Sequence, residues 1–353
     1  MMKSKKIIIF LIVIIISAAL MDNIKNNIYA RVNLTTNNTR NVTNVGVSIY
    51  NFNDPYLSQV KQSLEDIQSK NENTVKFTFL DSKDDQSIQD ENINNLVNGD
   101  YDLLLLNLHD TNGHVIENVV NESKQKNKPL ILFNIEPLIT PPVLKSYNKA
   151  IILSKDVIQS GILQGKILVN EWNNNRRNID KNNDYVLQYI MLVGENNNTA
   201  ALQRTKNSIL TINNAGIKTQ ELASKVCNWN QDCGENSIEN LFLSYGDKIE
   251  AIIANNDAMA IGAVEALQKY GYNTGDKSTY IPVVGIDGIP KAKELVNKGI
   301  MSGTVIQDPN ELANALYTVG MNLVYNRDPL DGTNYIFDKT GNTIEIPYYE
   351  YIK

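Results

Sequence analysis

Short unbroken apolar runs alternate along this chain with segments whose apolar positions recur every three or four residues. The runs over residues 45–50, 75–80, 102–106, 129–134, 150–153, 186–192, 217–222, 249–254, 281–286 and 303–306 predict strands. Tyr56, Leu57, Val60, Leu64 and Ile67 repeat with helical spacing, and further helices are predicted over 88–96, 156–172, 200–212, 256–267, 290–298 and 310–325. Runs such as Leu103 to Leu106 and Ile249 to Ala254 are continuous, as parallel strands covered on both faces require. Strict strand–helix alternation predicts an α/β protein with doubly wound parallel sheets. The chain exceeds what one such sheet needs, so two lobes are expected.

The amino-terminal end departs from this pattern. Lys3, Lys5 and Lys6 precede an apolar run over 7–21, the n-region and h-region of an export signal. The run falls short of the ~20 residues that span a bilayer squarely, but Ile24, Ile28 and Tyr29 prolong it. Residues 1–30 are therefore either a cleaved signal, with Ser17-Ala18-Ala19 and Ile28-Tyr29-Ala30 as small-residue sites, or a retained anchor. A polar spacer over 31–43 follows, and no Cys stands after the apolar run to carry a lipid. Either fate puts the folded part outside the cytoplasm.

Composition narrows the function. With 20% charged residues and a net charge of −6, the chain has no basis for a face that tracks phosphates. Cys227 and Cys233 are the only cysteines, either a local disulfide, which an exported location permits, or two thiols. With only His109 and His114 beside them, no zinc site is expected. There is no G-x-G-x-x-G, no Walker lysine loop and no G-x-S-x-G elbow. The sequence points to a binding protein rather than an enzyme.

The remaining chemistry lies at strand ends. Asp54 follows the first strand, Asn107 the run 102–106, Asn256 and Asp257 the run 249–254, and Asp287 the run 281–286. Carboxyl ends of strands are where open α/β sheets bind ligands. Sugar hydroxyls both donate and accept, which suits Asp, Asn and Arg204, while Tyr56 and Trp229 supply aromatic faces for its C–H surface. The same Asp and Asn residues are also default helix caps and turn formers.

Four stretches carry a family resemblance. Val45-Gly46-Val47-Ser48-Ile49-Tyr50, Asp81-Ser82-Lys83-Asp84-Asp85-Gln86-Ser87, Phe133-Asn134-Ile135-Glu136-Pro137 and Ala254-Asn255-Asn256-Asp257-Ala258-Met259-Ala260 stand in the order found in the periplasmic galactose/glucose-binding proteins, which this chain resembles over 44–353. The resemblance implies the periplasmic binding protein type I fold, two lobes joined by three crossovers with a hexopyranose between them. By register the first lobe holds 44–128 and 307–346, and the second 129–306 and 347–353. It implies hydrogen bonds from Asp54, Asn107, Arg204, Asn256 and Asp287, and a sugar sandwiched between Tyr56 and Trp229. Asn198 and Ala200 replace a His and an Asp of the family, Gln307 an Asn, and Tyr56 a Phe. Losing a charged acceptor removes about 1.5–3 kcal/mol of hydrogen bonding, while Ala200 opens room at the anomeric carbon, and the expectation is a preference for galactosides or a related sugar over free glucose.

A second constellation spans 180–188. Asp180, Asn182, Asp184, the Val186 carbonyl and Gln188 have the spacing of an EF-hand-like calcium loop, with Tyr185 where Gly normally turns the chain. The resemblance adds Glu250 as the bidentate ligand of one structural calcium ion. It also implies a monomeric receptor that passes sugar to an ABC importer permease. A retained anchor would instead suit a sensor signalling to a histidine kinase. An export signal where a repressor carries its helix-turn-helix argues against nucleic acid.

Overall fold

The computed structural model describes residues 42–135 and 142–353, so the export segment predicted over 1–30 and nearly all of the spacer lie outside the described residues. Strands β1 (Thr43–Ile49), β2 (Val75–Asp81), β3 (Leu103–Leu106), β4 (Leu130–Phe133), β5 (Ala150–Lys155) and β11 (Thr343–Ile346) form one six-stranded sheet, ordered β11-β5-β4-β3-β1-β2. Every pairing between these strands is parallel. The second sheet has six strands in the order β12-β10-β9-β8-β6-β7. They are β6 (Val186–Val193), β7 (Lys218–Val226), β8 (Ala251–Ala254), β9 (Val283–Asp287), β10 (Gly303–Gln307) and β12 (Tyr348–Tyr351). Only β12 runs antiparallel to its neighbour. Two doubly wound lobes are thus present as expected.

Burial explains the continuous apolar runs. Leu103 and Leu105 enter one core cluster and Leu104 and Leu106 another, so successive side chains of β3 serve opposite faces of the sheet. In β8, Ile252 and Ala254 face one core while Ala251 and Ile253 face the other.

Helices α1 (Pro55–Lys70), α2 (Gln86–Asn98) and α3 (Gly113–Gln125) cover the first sheet with α9 (Pro309–Val324). Helices α4 (Val157–Ile179), α5 (Thr199–Asn214), α6 (Gln231–Tyr245), α7 (Asp257–Lys269) and α8 (Pro290–Asn297) belong to the second. On α4, Gly161 and Gly165 face α5 so closely that an added Cβ would stand 2.9 Å from the Arg204 carbonyl oxygen and 2.6 Å from that of Ser208. These two glycines let α5 pack near enough for Arg204 to reach the strand ends.

The chain crosses between sheets at residues 155–157, 307–309 and 346–348. The second and third crossings agree with the register-based division. The first does not. Strands β4 and β5 continue the first sheet, with Leu104 paired to Leu130 and Leu130 to Ala150, so the boundary drawn at 128/129 moves to the residues after Lys155. An apolar run states that a strand is buried but not which sheet it joins.

Candidate functional site

A cleft of about 790 Å³, its open mouth included, is lined by both lobes. Asp54, Tyr56, Asn107, Asn198, Arg204, Trp229, Asn256, Asp287 and Gln307, all singled out from sequence, stand around it. Tyr50, His109, Asn134, Glu195 and Tyr348 also line it and were not anticipated.

Several of these side chains are helix caps as well. Asp54 caps α1, its Oδ1 accepting from the amides of Tyr56 at 2.9 Å and Leu57 at 2.7 Å. Its Oδ2 is left toward the Tyr50 hydroxyl at 3.4 Å. Capping therefore fixes the carboxylate while sparing one oxygen for a ligand. Asn198 caps α5 through the Ala201 amide at 3.2 Å and donates to Glu195 at 3.2 Å. Asn256 caps α7 through the Met259 amide at 3.0 Å and donates to the Trp229 carbonyl at 3.1 Å. Asn107 accepts from the Tyr50 amide at 3.3 Å and donates to the Phe133 carbonyl at 3.2 Å. The asparagines thus tie strand ends together as much as they face the cleft.

Charge is concentrated at the base. Arg204, buried on α5, donates to the Asn255 carbonyl at 2.8 Å and the Tyr348 hydroxyl at 3.1 Å, and stands 4.0 Å from Asp287. Asp287 ends β9 with φ +135°, a conformation strained for a residue with a Cβ, and accepts from Gln307 at 2.6 Å. Lys155, at the first crossover, donates to Asn134 at 2.7 Å and to Gln307 at the second, and its ammonium lies 3.8 Å from the Tyr56 ring centroid. Tyr348 stands at the third crossover, so Lys155, Gln307 and Tyr348 bring all three crossings to the cleft base. Burial pushes the Asp54 carboxyl up, opposed by the Leu57 and Tyr56 amides, the Tyr50 hydroxyl and Lys155. Asp287 is pushed well above the usual carboxylate range by burial, which Arg204 and Lys155 counter and Asp257 and Asp54 reinforce.

The aromatic residues close two sides. Tyr56 is 3% exposed, and its hydroxyl has no hydrogen-bond partner among the described residues. Trp229 stands on a loop between β7 and α6, with its ring against Gly194 and 5.8 Å from the Arg204 guanidinium. The Cys227–Cys233 disulfide closes that loop, which decides between the alternatives left by the sequence.

The loop over 180–188 lies elsewhere in the second lobe. Tyr185 adopts φ +62°, so the left-handed turn expected of Gly is made by Tyr. Glu250 accepts from the Lys181 and Gln188 amides, both at 2.9 Å, and Asp180 from those of Asp184 at 3.1 Å and Tyr185 at 3.2 Å. Burial pushes Glu250 up to about 7, opposed by those amides and reinforced by Asp180 and Asp184. Among the described residues no three His, Cys, Asp or Glu side chains are gathered closely enough to hold an ion. The donor set is nevertheless made of oxygens, as a hard cation requires, and the buried Oε1 of Gln188 has no partner among the described residues.

Residues 45–328 match the family model of the periplasmic binding protein domain. The chain belongs to the periplasmic binding protein family. A D-galactose/methyl-galactoside binding periplasmic protein (MglB) of Haemophilus influenzae is 30% identical over 305 residues, 86% of this chain and 88% of that one. The ribose import binding protein RbsB of Escherichia coli is 25% identical over 268 residues, 76% of this chain and 80% of its own. Among solved structures, a solute binding protein of an ABC transporter from Bacillus halodurans with bound myo-inositol superposes with a TM-score of 0.70. It is 23% identical and covers 90% of this chain and 96% of that one, a likeness of fold. As a periplasmic binding protein the chain is a binding receptor rather than an enzyme and works outside the cytoplasm. Among the described residues no helix is long and apolar enough to cross a membrane.

Proposed function

We propose that this receptor binds a hexose of the galactose/glucose class, or a small galactoside, between its lobes and passes it to an ABC importer. One observation carries this reading: donors, acceptors and two aromatic residues from both lobes converge on one cleft at the strand ends. Asp54 and Asp287 supply acceptors, Arg204 a donor fork, and Tyr56 and Trp229 the faces for the sugar's C–H surface. A ligand touching both lobes favours the closed arrangement, which is how such receptors couple binding to hinge motion. Ala200 lines the cleft without a carboxylate, which favours a substituted anomeric oxygen and hence galactosides over free glucose. The similarity to the H. influenzae galactose/methyl-galactoside binding protein supports the same class.

Calorimetric titration of the full chain with galactose, glucose, methyl-galactoside, ribose and xylose tests this reading. Micromolar or tighter binding confined to the galactose group is expected. Free glucose binding far more tightly than methyl-galactoside overturns the selectivity, and ribose alone binding overturns the hexose class.

A structural calcium ion is part of the proposal, held by Asp180, Asn182, Asp184, the Val186 carbonyl, Gln188 and Glu250. An ion that binds only the folded chain adds about 2.7 kcal/mol at a hundredfold excess over its dissociation constant. A chelator should therefore lower the melting temperature, and calcium should restore it. An unchanged melt rules the ion out. A second reading, a membrane-anchored sensor, is favoured by the missing Cys after the apolar run. Finding residues 1–30 retained in the exported protein, with no importer-dependent uptake, would select it.

A further inference from the structure

The loop carrying Trp229 holds an unusual backbone. Asn228 and Trp229 are consecutive residues with φ +47° and +63°, and neither is glycine. Left-handed backbone in residues with a Cβ is unfavourable and persists only where the surroundings over-determine it. At one end the Cys227 and Asn228 amides donate to the carbonyls of Val193 at 2.8 Å and Gly194 at 3.0 Å. At the other, Asn230 caps α6 by accepting from the Cys233 amide at 2.8 Å. Asn256 holds the Trp229 carbonyl from across the loop. The disulfide joins the two ends, with Cα atoms 5.3 Å apart. Cys227 is buried in the second lobe's core, while Cys233 is half-buried.

The Trp229 ring is half-buried, packed at the margin of the second lobe's core and against Gly194. An added Cβ on Gly194 would lie 2.4 Å from the indole, so the ring rests directly on the chain there. The same residue lines the cleft. We infer that the Cys227–Cys233 disulfide is a positioning element of the cleft: it holds the left-handed Asn228-Trp229 pair and thereby keeps the indole as one wall of the ligand site. Breaking the bond leaves both lobes folded, because Cys227 can stay buried in the second lobe's core as a thiol. It releases the pair to ordinary backbone and lets the indole leave Gly194. The ligand arm of the test rests on the proposed sugar class, but the ring's position does not.

Two measurements on the full chain separate these. The chain has two tryptophans, so Trp229 emission is obtained by subtracting the spectrum of W229F, in which Trp172 alone remains. Reduction with a phosphine, and separately the C227S/C233S variant, should shift Trp229 emission to longer wavelength and increase its quenching by acrylamide. Far-UV circular dichroism should hold. Galactose affinity should fall on the order of tenfold, equivalent to about 1.4 kcal/mol. Unchanged emission and quenching in the reduced wild-type chain overturn the inference, whether or not the double variant folds. Altered emission with unchanged galactose affinity overturns the indole's role as a wall. If no sugar in the panel binds the oxidised chain, the sugar reading fails while the emission result still decides what holds the ring.

Discussion

Tyr56 sits in the first turn of α1 with its ring sunk among Ile49, Leu57, Val60 and the rest of the first lobe's core. Trp229 stands on a loop of left-handed backbone, half-buried, with a disulfide at its root. Both face the same cleft. The first wall is fixed by the packing that folds the lobe, so its position comes with the fold. The second rests half-buried on the margin of the other lobe's core and is held there by restraints on its loop. A receptor built this way can vary the Trp229 side without endangering the molecule, whereas changes at Tyr56 act on stability and binding together.

The largest effect should come from truncating each ring. Tyr56→Ala removes a buried ring and should destabilise the chain by about 3–5 kcal/mol, as aromatic truncations in cores do. Trp229→Ala should cost well under half of that in a denaturant titration, yet weaken sugar binding at least as much. A Trp229→Ala loss of stability equal to that of Tyr56→Ala would erase the contrast between the walls.

Next comes the pH response of the polar groups between the rings. Burial raises the carboxyls of Asp54 and Asp287 above their ordinary range. The folded chain therefore holds these protons at pH values where the unfolded chain has lost them, so their contribution to stability falls as pH rises through that window. Ligand binding has the opposite sign, because the ionised carboxylates are the acceptors. Sugar affinity should weaken on acidification, starting above the ordinary carboxylate range, and Trp229→Ala should keep that slope. A flat affinity profile would mean that neither carboxylate takes part. A smaller effect is expected from Gly194→Ala, whose methyl must displace the indole. It should cost several-fold in affinity with little change in melting temperature, and an unchanged affinity would show that the ring tolerates the shift.

Much of this cleft was legible before folding because strand ends announce themselves. Each apolar run stops at a polar residue, and those residues are the ones that meet. The choice between helix cap and ligand group proved to be no choice: Asp54 and Asn256 are both caps and cleft residues. Lys155 and Tyr348 escaped notice because a lysine ending a strand reads as solvated, and Tyr348 lies in the carboxyl-terminal tail. Their place follows from the crossovers, and the first of these was misjudged because β4 and β5 are equally apolar whichever sheet they join. Strands β11 and β12 lack a continuous apolar run, because Glu345 interrupts one and Tyr349 and Glu350 are exposed in the other. Helices α3 and α6 were missed because their buried stripes are thin: Ile116, Val119 and Val120 in one, Ile238 and Leu241 in the other, within largely polar segments. The disulfide could not be decided from spacing, since two nearby cysteines pair only if the backbone brings them together.

The finest test lies in one atom of the core-held wall. The Tyr56 hydroxyl is buried with no partner among the described residues, where the resembled family carries Phe. A buried hydroxyl left unpaired is unfavourable, so Tyr56→Phe should leave the melting temperature of the ligand-free chain unchanged or raise it slightly. If the hydroxyl bonds the sugar, the same change should weaken binding by about 1 kcal/mol, the net worth of one neutral hydrogen bond. Titrating both proteins with galactose and its single-deoxy analogues identifies the partner: the Tyr56→Phe penalty should vanish for the analogue lacking the hydroxyl that Tyr56 engages. A penalty of equal size for every analogue would assign the loss to ring packing instead. No penalty for any sugar would mean that this wall, for all its burial, offers the ligand only a face.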